Sequence, residues 1–256
     1  QEDYEAAIRL MALHLYGTAL EPSGKSLFLD KTPRYYLILP ELARIMPKAR
    51  FLLLLRNPLA VLNSLLNASV KDRWMLLARL QNDLLLAPRL LVEAMATLQH
   101  RAIVVHYESL VTQPAEEVAA ICEGLGLEFQ PDMLAYGDKQ IPPGSMGDSS
   151  TIKNFTEPTT DRLHHWLELG RRPQTRHLAE SYLQALGPDL VDAMGYDYAG
   201  LHHQLMAQPV EPGEISVTWK QLFEPDAAYK KRIQYAELAL LLERRLIFTI
   251  RRAFRK

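Results

Sequence analysis

Cysteine is nearly absent from this chain, and that absence narrows the kinds of protein it can be. The 256 residues include one cysteine, Cys122, which excludes an internal disulfide framework and a zinc site built from cysteines alone. No other metal-ligand pattern stands out, so we expect no metal. The length suffices for one sizeable core. Nothing near Gln1 resembles a signal peptide, and we expect a cytoplasmic protein.

A complete nucleoside triphosphate P-loop is also missing. Residues 22–26 read PSGKS, which matches the end of the pattern G-x-x-x-x-G-K-[ST], but the first glycine would fall where Ala19 stands. The pattern also requires a preceding strand, whereas the spacing of apolar residues over 3–20 predicts a helix. We therefore predict an exposed turn over residues 21–25.

A buried strand followed by a cation is the most informative feature that is present. Residues 51–55, FLLLL, form a continuous apolar run typical of a strand buried on both faces. Arg56 and Asn57 follow, and Pro58 suits the first turn of a helix. The amide groups of that helix start and the guanidinium together predict an anion site. Ser64 lies about two helical turns further on, so it can contribute only if the ligand extends along the helix, as a nucleotide phosphate would.

A second segment repeats this plan. Residues 27–30, LFLD, are predicted as a strand that leads into Lys31, Thr32 and Pro33 and then into a helix ending near Met46. Two cationic strand ends side by side predict a phosphate or sulfate site. The alternatives are that Arg56 caps the carbonyl groups of a neighbouring helix and that Lys31 is a solvated turn residue.

Further strand and helix signals follow along the chain. Residues 102–105 are predicted as a third strand leading into His106 and Tyr107, and a helix is predicted to open at Gln113 and Pro114 and to stop at Gly126. The fold class expected from this alternation is α/β, a three-layer sandwich with a mainly parallel central sheet and a C-terminal helical extension.

These motifs in combination resemble the sulfotransferase family that uses 3′-phosphoadenosine 5′-phosphosulfate. The resemblance is carried by DKTPRY at 30–35, by Arg56 and Ser64 in an R-x7-S spacing, and by the YESLVTQP segment from Tyr107. It extends over about residues 25–198 and is closest to the bacterial type. It implies a fold like that of P-loop nucleoside triphosphatases.

The resemblance implies roles for individual residues. Arg56 and Ser64 would hold the 3′-phosphate, and Lys31 would lie near the transferring sulfuryl group. Tyr107 would pack on the adenine, although it could equally just cover the sheet edge. Lys153 would supply the charge of a loop that closes over the 3′-phosphate. The family's N-terminal strand and 5′-phosphosulfate loop do not precede residue 27, and we expect them upstream of Gln1.

The last 28 residues differ in charge from the rest. Residues 229–256 hold nine Lys or Arg and two Glu, a net charge of +7 against −1 for the whole chain. Tyr235, Ala239, Leu242 and further apolar residues share one helical face, which predicts a basic amphipathic helix for an anionic membrane surface or a partner. A helix packed on its own domain is the alternative. Nucleic acid is not expected as a partner because the body is acidic.

The sequence thus predicts a sulfotransferase domain over residues 1–198, incomplete at its N-terminus, and a linker with a basic helical tail over 199–256. The predicted reaction is sulfuryl transfer to an acceptor hydroxyl of a glycan, a lipid or a small molecule. The alternatives are a degenerate, non-catalytic binding domain and a P-loop kinase-like nucleotide enzyme. The catalytic base is not identified by the sequence, with Asp30 and His14 as local candidates.

Overall fold

The computed structural model describes residues 2–135 and 155–253, with side chains through residue 241. Eleven α-helices and two strands lie in this part of the chain. In order they are α1 (Glu2–Leu20), α2 (Leu39–Ile45), β1 (Phe51–Leu55), α3 (Pro58–Leu65), α4 (Ala87–Leu98), β2 (Ala102–His106), α5 (Tyr107–Thr112), α6 (Pro114–Leu125), α7 (Pro173–Leu186), α8 (Pro188–Ala193), α9 (Tyr198–Met206), α10 (Trp219–Phe223) and α11 (Ala227–Ala253).

Shorter helical segments connect these elements. Single 3₁₀ segments span Glu21–Ser23, Tyr35–Ile38, Trp74–Leu80, Gln99–Arg101, Pro131–Met133 and His165–Gly170, and π-helical turns span Leu66–Val70 and Asn82–Leu86. Proline stands in the first turn of α3, α4, α6, α7 and α8, where its missing amide hydrogen costs no helical hydrogen bond.

The two strands form a parallel pair, with Phe51 opposite Ala102 and Leu55 opposite His106. The chain crosses between them through α3, the helical segments and α4, as a parallel connection requires. The C-terminal ends of both strands therefore lie side by side at one end of the sheet. Arg56 and Tyr107 directly follow them. The strand predictions for 51–55 and 102–105 are confirmed.

Among the described residues, helices cover both faces of β2 but only one face of β1. Leu53 packs with Ala94 and Leu98 of α4, while Ile103 lies against Gly124 of α6. Leu52 and Leu54 on the α6 side of β1 are 39% and 55% exposed, so the prediction that this strand is buried on both faces is wrong. The described fold is a mostly helical α/β arrangement with a small parallel sheet, and the expected three-layer sandwich is not confirmed.

The main core lies beside the sheet and is built from the helices around α7. Leu59 and Leu62 of α3 pack there with Leu178 and Leu183 of α7. Residues from the C-terminal part of the described chain join the same core: Leu201, Leu205, Val217 and Leu222. Segment 209–218 is fixed by the buried amide of Gln174, whose Oε1 accepts from Val217 N at 3.0 Å and whose Nε2 donates to Val217 O at 2.7 Å. The division at residue 198 stays a prediction.

The strand predicted over residues 27–30 is wrong. These residues have no regular structure, and Leu27, Phe28 and Leu29 are all exposed. A short apolar run forms a strand only beside another strand, and no described strand pairs with this one. The helix predicted over 3–20, the exposed turn over 21–25 and the glycine stop at Gly126 (φ 69°) are confirmed.

Candidate functional site

The candidate site begins where β1 passes into α3. Asn57 is buried and caps α3, with its Oδ1 accepting the amide of Leu59 at 2.9 Å. Pro58 then occupies the first helical position. This turn orients the start of α3 toward the strand ends and fixes the backbone on which the Arg56 side chain is mounted.

Arg56 and Tyr107 are brought together by the two strand ends. The guanidinium carbon of Arg56 lies 4.1 Å from the centroid of the Tyr107 ring, a cation–π contact. Arg56 Nε is buried and has no hydrogen-bond partner within the described residues. A buried donor without an acceptor costs about 1–3 kcal/mol, more when the group is charged. The site therefore offers an oriented cation with a free donor.

Glu108 ties the turn after β1, which carries Arg56, to another part of the chain. Its Oε1 accepts the backbone amide of Asn57 at 3.0 Å, and its Oε2 accepts the hydroxyl of Tyr196 at 2.7 Å. Burial and the bond to Glu108 both raise the pKa of Tyr196, while the nearby positive charge of Arg56 opposes the rise. One carboxylate thus links the turns after both strands to the segment before α9.

His106, the last residue of β2, braces the same segment from the other side. Its Nε2 lies 2.9 Å from the carbonyl oxygen of Met194, and its ring meets the Tyr196 ring edge-on with 5.6 Å between centroids. Gly195, at φ 88°, allows this contact, since a Cβ there would lie 2.7 Å from His106 Nε2. Neither Glu108 nor Tyr196 was predicted as a site residue, because their partnership spans 88 positions.

Among the described residues, no hydrogen bond, ion pair or ring contact joins Ser64 or Lys31 to the Arg56–Tyr107 pair. Ser64 lies in the last turn of α3 and is exposed. Lys31 is exposed in the turn after residue 30, and no hydrogen bond or ion pair involves its ammonium among the described residues. Its predicted place beside Arg56 at a strand end loses its basis because residues 27–30 form no strand. Lys153 lies outside the described residues.

The turn that carries Lys31 is anchored on its C-terminal side. Arg34 donates from Nε and Nη2 to the two carboxylate oxygens of Asp83 at 3.0 and 2.7 Å, and the hydroxyl of Tyr36 donates to the same carboxylate at 2.6 Å. Burial raises the pKa of Asp83, but the bonds from Arg34 and Tyr36 outweigh it and the net shift is downward. This fork joins the turn to the π-helical segment Asn82–Leu86.

The P-loop-like run at 22–26 does not form a phosphate loop. It follows the helix α1 instead of a strand, its residues are exposed, and Gly24 ends a 3₁₀ turn at φ 63°. In the part of the chain with described side chains, no cluster of three or more His, Cys, Asp or Glu is arranged to hold a metal ion. Within the described helices, none is both long and apolar enough to cross a membrane.

Comparison with known proteins assigns the family. The model of the Sulfotransferase family matches residues 1–131. The chain belongs to this family, which is a family of transferases, and its recognition from the sequence motifs is confirmed. Family membership implies a sulfate donor as co-substrate.

Curated relatives were found in a bacterium and in nematodes. The chain is 27% identical over 247 residues to the nodulation protein NoeE of Sinorhizobium fredii (strain NBRC 101917 / NGR234), a match over 84% of this chain and 55% of NoeE. It is 27% identical over 173 residues to a Caenorhabditis elegans protein named “Putative protein-tyrosine sulfotransferase”, over 62% of this chain and 64% of that protein. A Caenorhabditis briggsae protein of the same name is 24% identical over 62% of this chain and 60% of its own length. The chain thus spans 55–64% of these relatives. No solved structure matches the chain significantly.

Proposed function

We propose that the protein transfers a sulfuryl group from 3′-phosphoadenosine 5′-phosphosulfate to a hydroxyl group of an acceptor. The observation that carries the proposal is the buried, unpartnered Nε of Arg56 beside the stacked ring of Tyr107. A phosphate oxygen would satisfy that donor, and the flat face of a purine is compatible with an aromatic neighbour.

The proposed donor fits the polar groups at the strand ends. Arg56 would bind the 3′-phosphate, the group that distinguishes this nucleotide from ATP, and the positive end of the α3 dipole would add attraction for the anion. Ser64 would contribute its exposed hydroxyl where the nucleotide extends along α3. Tyr107 would contact the adenine, and Lys153 would close over the phosphate.

The proposed chemistry is an in-line displacement at sulfur. The acceptor oxygen forms a bond to sulfur while the bond from sulfur to the 5′-phosphate oxygen breaks and its electron pair leaves on that oxygen. The acceptor proton passes to a base or to water. Lys31 is exposed, and its ammonium forms no hydrogen bond or ion pair among the described residues. It would stabilise the charge that builds on the bridging and equatorial oxygens.

The acceptor belongs to the class of hydroxyl compounds. A phenol is included because two relatives are named for sulfation of protein tyrosine, alongside the glycan, lipid and small-molecule hydroxyls expected from the sequence. The structure gives no support to the kinase-like alternative, because the run at 22–26 lacks the strand and loop that such an enzyme needs.

Transfer of labelled sulfate tests the proposal and the non-catalytic alternative together. The chain, as given and extended upstream of Gln1, is incubated with labelled donor and a panel of tyrosyl peptides, glycans and lipid alcohols. Label should move to at least one acceptor class, and Lys31→Ala should slow it. Nucleotide binding without transfer in the extended protein would favour a degenerate binding domain.

We also propose that the protein is cytoplasmic and that α11 makes a peripheral contact with a membrane. The helix packs on the body where Arg79 lies 3.6 Å from Glu237. Its outer side exposes Tyr235, Leu238 and Leu241, 69%, 53% and 51% accessible, and nearby Lys230, Lys231 and Arg232 are also exposed. Apolar side chains beside cations suit an anionic lipid surface.

Vesicle flotation tests this contact. Vesicles containing phosphatidylserine should retain the protein, whereas neutral phosphatidylcholine vesicles and high salt should release it, since the attraction is electrostatic. The double substitution Leu238→Gln and Leu241→Gln should weaken retention, with Leu27→Gln as an exposed apolar control. Equal retention by both vesicle types would contradict the electrostatic account.

A further inference from the structure

The Asp30 carboxylate is the acceptor of an unusual set of hydroxyl groups. The hydroxyls of Tyr16 and Tyr35 both donate to Oδ2 at 2.6 Å, and Thr32 Oγ1 donates to Oδ1 at 3.4 Å. Hydroxyl-to-carboxylate bonds as short as the first two are strong, charge-assisted bonds. We call Asp30, Tyr16 and Tyr35 the Asp30 clamp.

The clamp joins elements on both sides of the Lys31 turn. Tyr16 lies on α1, and its ring stacks on Phe28 with 4.3 Å between centroids and 15° between planes. Tyr35 begins the 3₁₀ segment Tyr35–Ile38, and its amide donates to Thr32 O at 3.2 Å. Residues 28–35 are therefore held to α1 at their N-terminal end. At their C-terminal end they form a turn, closed by the hydrogen bond from Tyr35 to Thr32.

Lys31 lies between these fixed points, yet its own ammonium is uncommitted. It is exposed, and among the described residues it forms neither a hydrogen bond nor an ion pair. The backbone that carries the cation is thus fixed while the cation remains available. The fixed backbone limits the space that the ammonium can reach, which lowers the entropy cost of placing it against the charge that develops.

Asp30 is better suited to holding this turn than to taking a proton. The bonds from Tyr16 and then from Tyr35 lower the pKa of Asp30, which makes the carboxylate a weaker base. The same carboxylate oxygen already accepts two hydroxyls, so an acceptor hydroxyl would have to displace one of them. The pKa of Tyr16 is raised, with the bond to Asp30 as the largest cause, so the phenol stays protonated as a donor.

We propose that the Asp30 clamp is a positioning device that sets Lys31 for sulfuryl transfer. The inference rests on the proposed function, and in particular on the role proposed for Lys31. Asp30 then acts through Lys31 and has no separate chemical step.

A double-mutant cycle tests this coupling. Initial rates are measured for the wild type, Asp30→Asn, Lys31→Ala and the double variant, with Tyr35→Phe as a milder variant that removes one hydroxyl of the clamp. Asp30→Asn should lower kcat by about 10- to 100-fold, the effect expected of a displaced catalytic group. The KM for the nucleotide should stay nearly unchanged, and the substitution should have no further effect when Lys31 is already alanine.

The control is Asp197→Asn. Asp197 is exposed and caps α9 by accepting the amide of Gly200 at 3.0 Å, a function that asparagine retains. Its kcat should equal that of the wild type. Alkaline titration of tyrosinate absorbance, as the difference between each protein and its Tyr16→Phe form, should show the raised Tyr16 pKa in the wild type and a fall toward 10.0 in Asp30→Asn.

The outcomes separate the two proposals. A normal kcat in Lys31→Ala would overturn the proposed role of Lys31 itself. A slow Lys31→Ala with a normal Asp30→Asn would overturn the clamp alone. A full additional loss from Asp30→Asn in the Lys31→Ala background would also overturn it, since Asp30 would then act independently, as a base does.

Discussion

The guanidinium carbon of Arg56 lies 4.1 Å from the centroid of the Tyr107 ring, and this contact joins the ends of the two parallel strands. Each residue directly follows its strand, so the parallel register that sets Leu55 opposite His106 also sets the cation beside the ring. The ring shields one side of the guanidinium from water and limits its motion. The contact therefore both stabilises the turn and prepares Arg56 for an anion.

Two substitutions of Tyr107 should separate the contribution of its ring to nucleotide binding from that of its hydroxyl. Tyr107→Phe keeps the ring and should bind adenosine 3′,5′-bisphosphate nearly as well as the wild type. Tyr107→Ala loses the cation–π contact, worth about 0.5–2 kcal/mol, and should bind more weakly by a factor of about 2 to 30. Titration calorimetry measures both. Equal weakening in the two variants would assign the effect to the hydroxyl instead.

Tyr196→Phe should reduce the free energy of unfolding by about 1–2 kcal/mol, because the Glu108 carboxylate loses its 2.7 Å donor. Glu108→Ala should cost more, since it leaves both the Tyr196 hydroxyl and the Asn57 amide without their acceptor. Denaturant unfolding measures each loss. Equal losses for the two variants would mean that the Asn57 bond contributes little.

Stability should fall at alkaline pH. The pKa values of Tyr196, Tyr182 and Tyr36 are raised above 10.0, with burial as the largest cause in each. Below pH 10 both folded and unfolded phenols are protonated and the stabilising contribution is fully present. As the pH rises further, the unfolded phenols ionise first, and the contribution is lost through the folded-state pKa values.

Tyr196→Phe should remove part of that pH dependence. The loss of unfolding free energy above pH 10 should be smaller in this variant than in the wild type. Tyr235→Phe, at a position 69% exposed, serves as the control and should follow the wild-type curve. A Tyr196→Phe curve parallel to that of the wild type would show that Tyr196 ionises normally in the folded state.

Gly195→Ala should destabilise the fold by more than about 1 kcal/mol. The residue is at φ 88°, and the added Cβ would lie 2.7 Å from His106 Nε2. Gly17→Ala is a matched control, because Gly17 lies within α1 with nothing within 4 Å of its Cβ position. That change should stabilise the helix. Thermal unfolding should therefore show a lower melting temperature for Gly195→Ala and a higher one for Gly17→Ala.

Local signals in the sequence were enough to predict the strands and the helix start that flank the candidate site. The apolar runs before Arg56 and Tyr107 indicated β1 and β2, and Pro58 indicated the start of α3. The stacking of Arg56 on Tyr107 depends on the strand register, which an apolar run does not specify.

The remainder of the site depends on long-range contacts. Glu108 and Tyr196 are 88 positions apart, and nothing in either local pattern links them. The strand expected before Lys31 failed for a related reason, because apolar character alone does not supply a neighbouring strand. What holds that turn is Asp30 with Tyr16 and Tyr35, a set of polar contacts from two helical elements.

The most direct test of the account is calorimetric titration with adenosine 3′,5′-bisphosphate and with adenosine 5′-monophosphate. The wild type, Arg56→Ala and Arg50→Ala are compared, the last as a control at the other end of β1, where Arg50 donates to His100 O at 2.6 Å. We predict that the bisphosphate binds more tightly than the monophosphate, and that Arg56→Ala, but not Arg50→Ala, weakens it by about tenfold or more. Equal binding of the two nucleotides, or binding that Arg56→Ala leaves unchanged, would contradict the assignment of Arg56 to the 3′-phosphate.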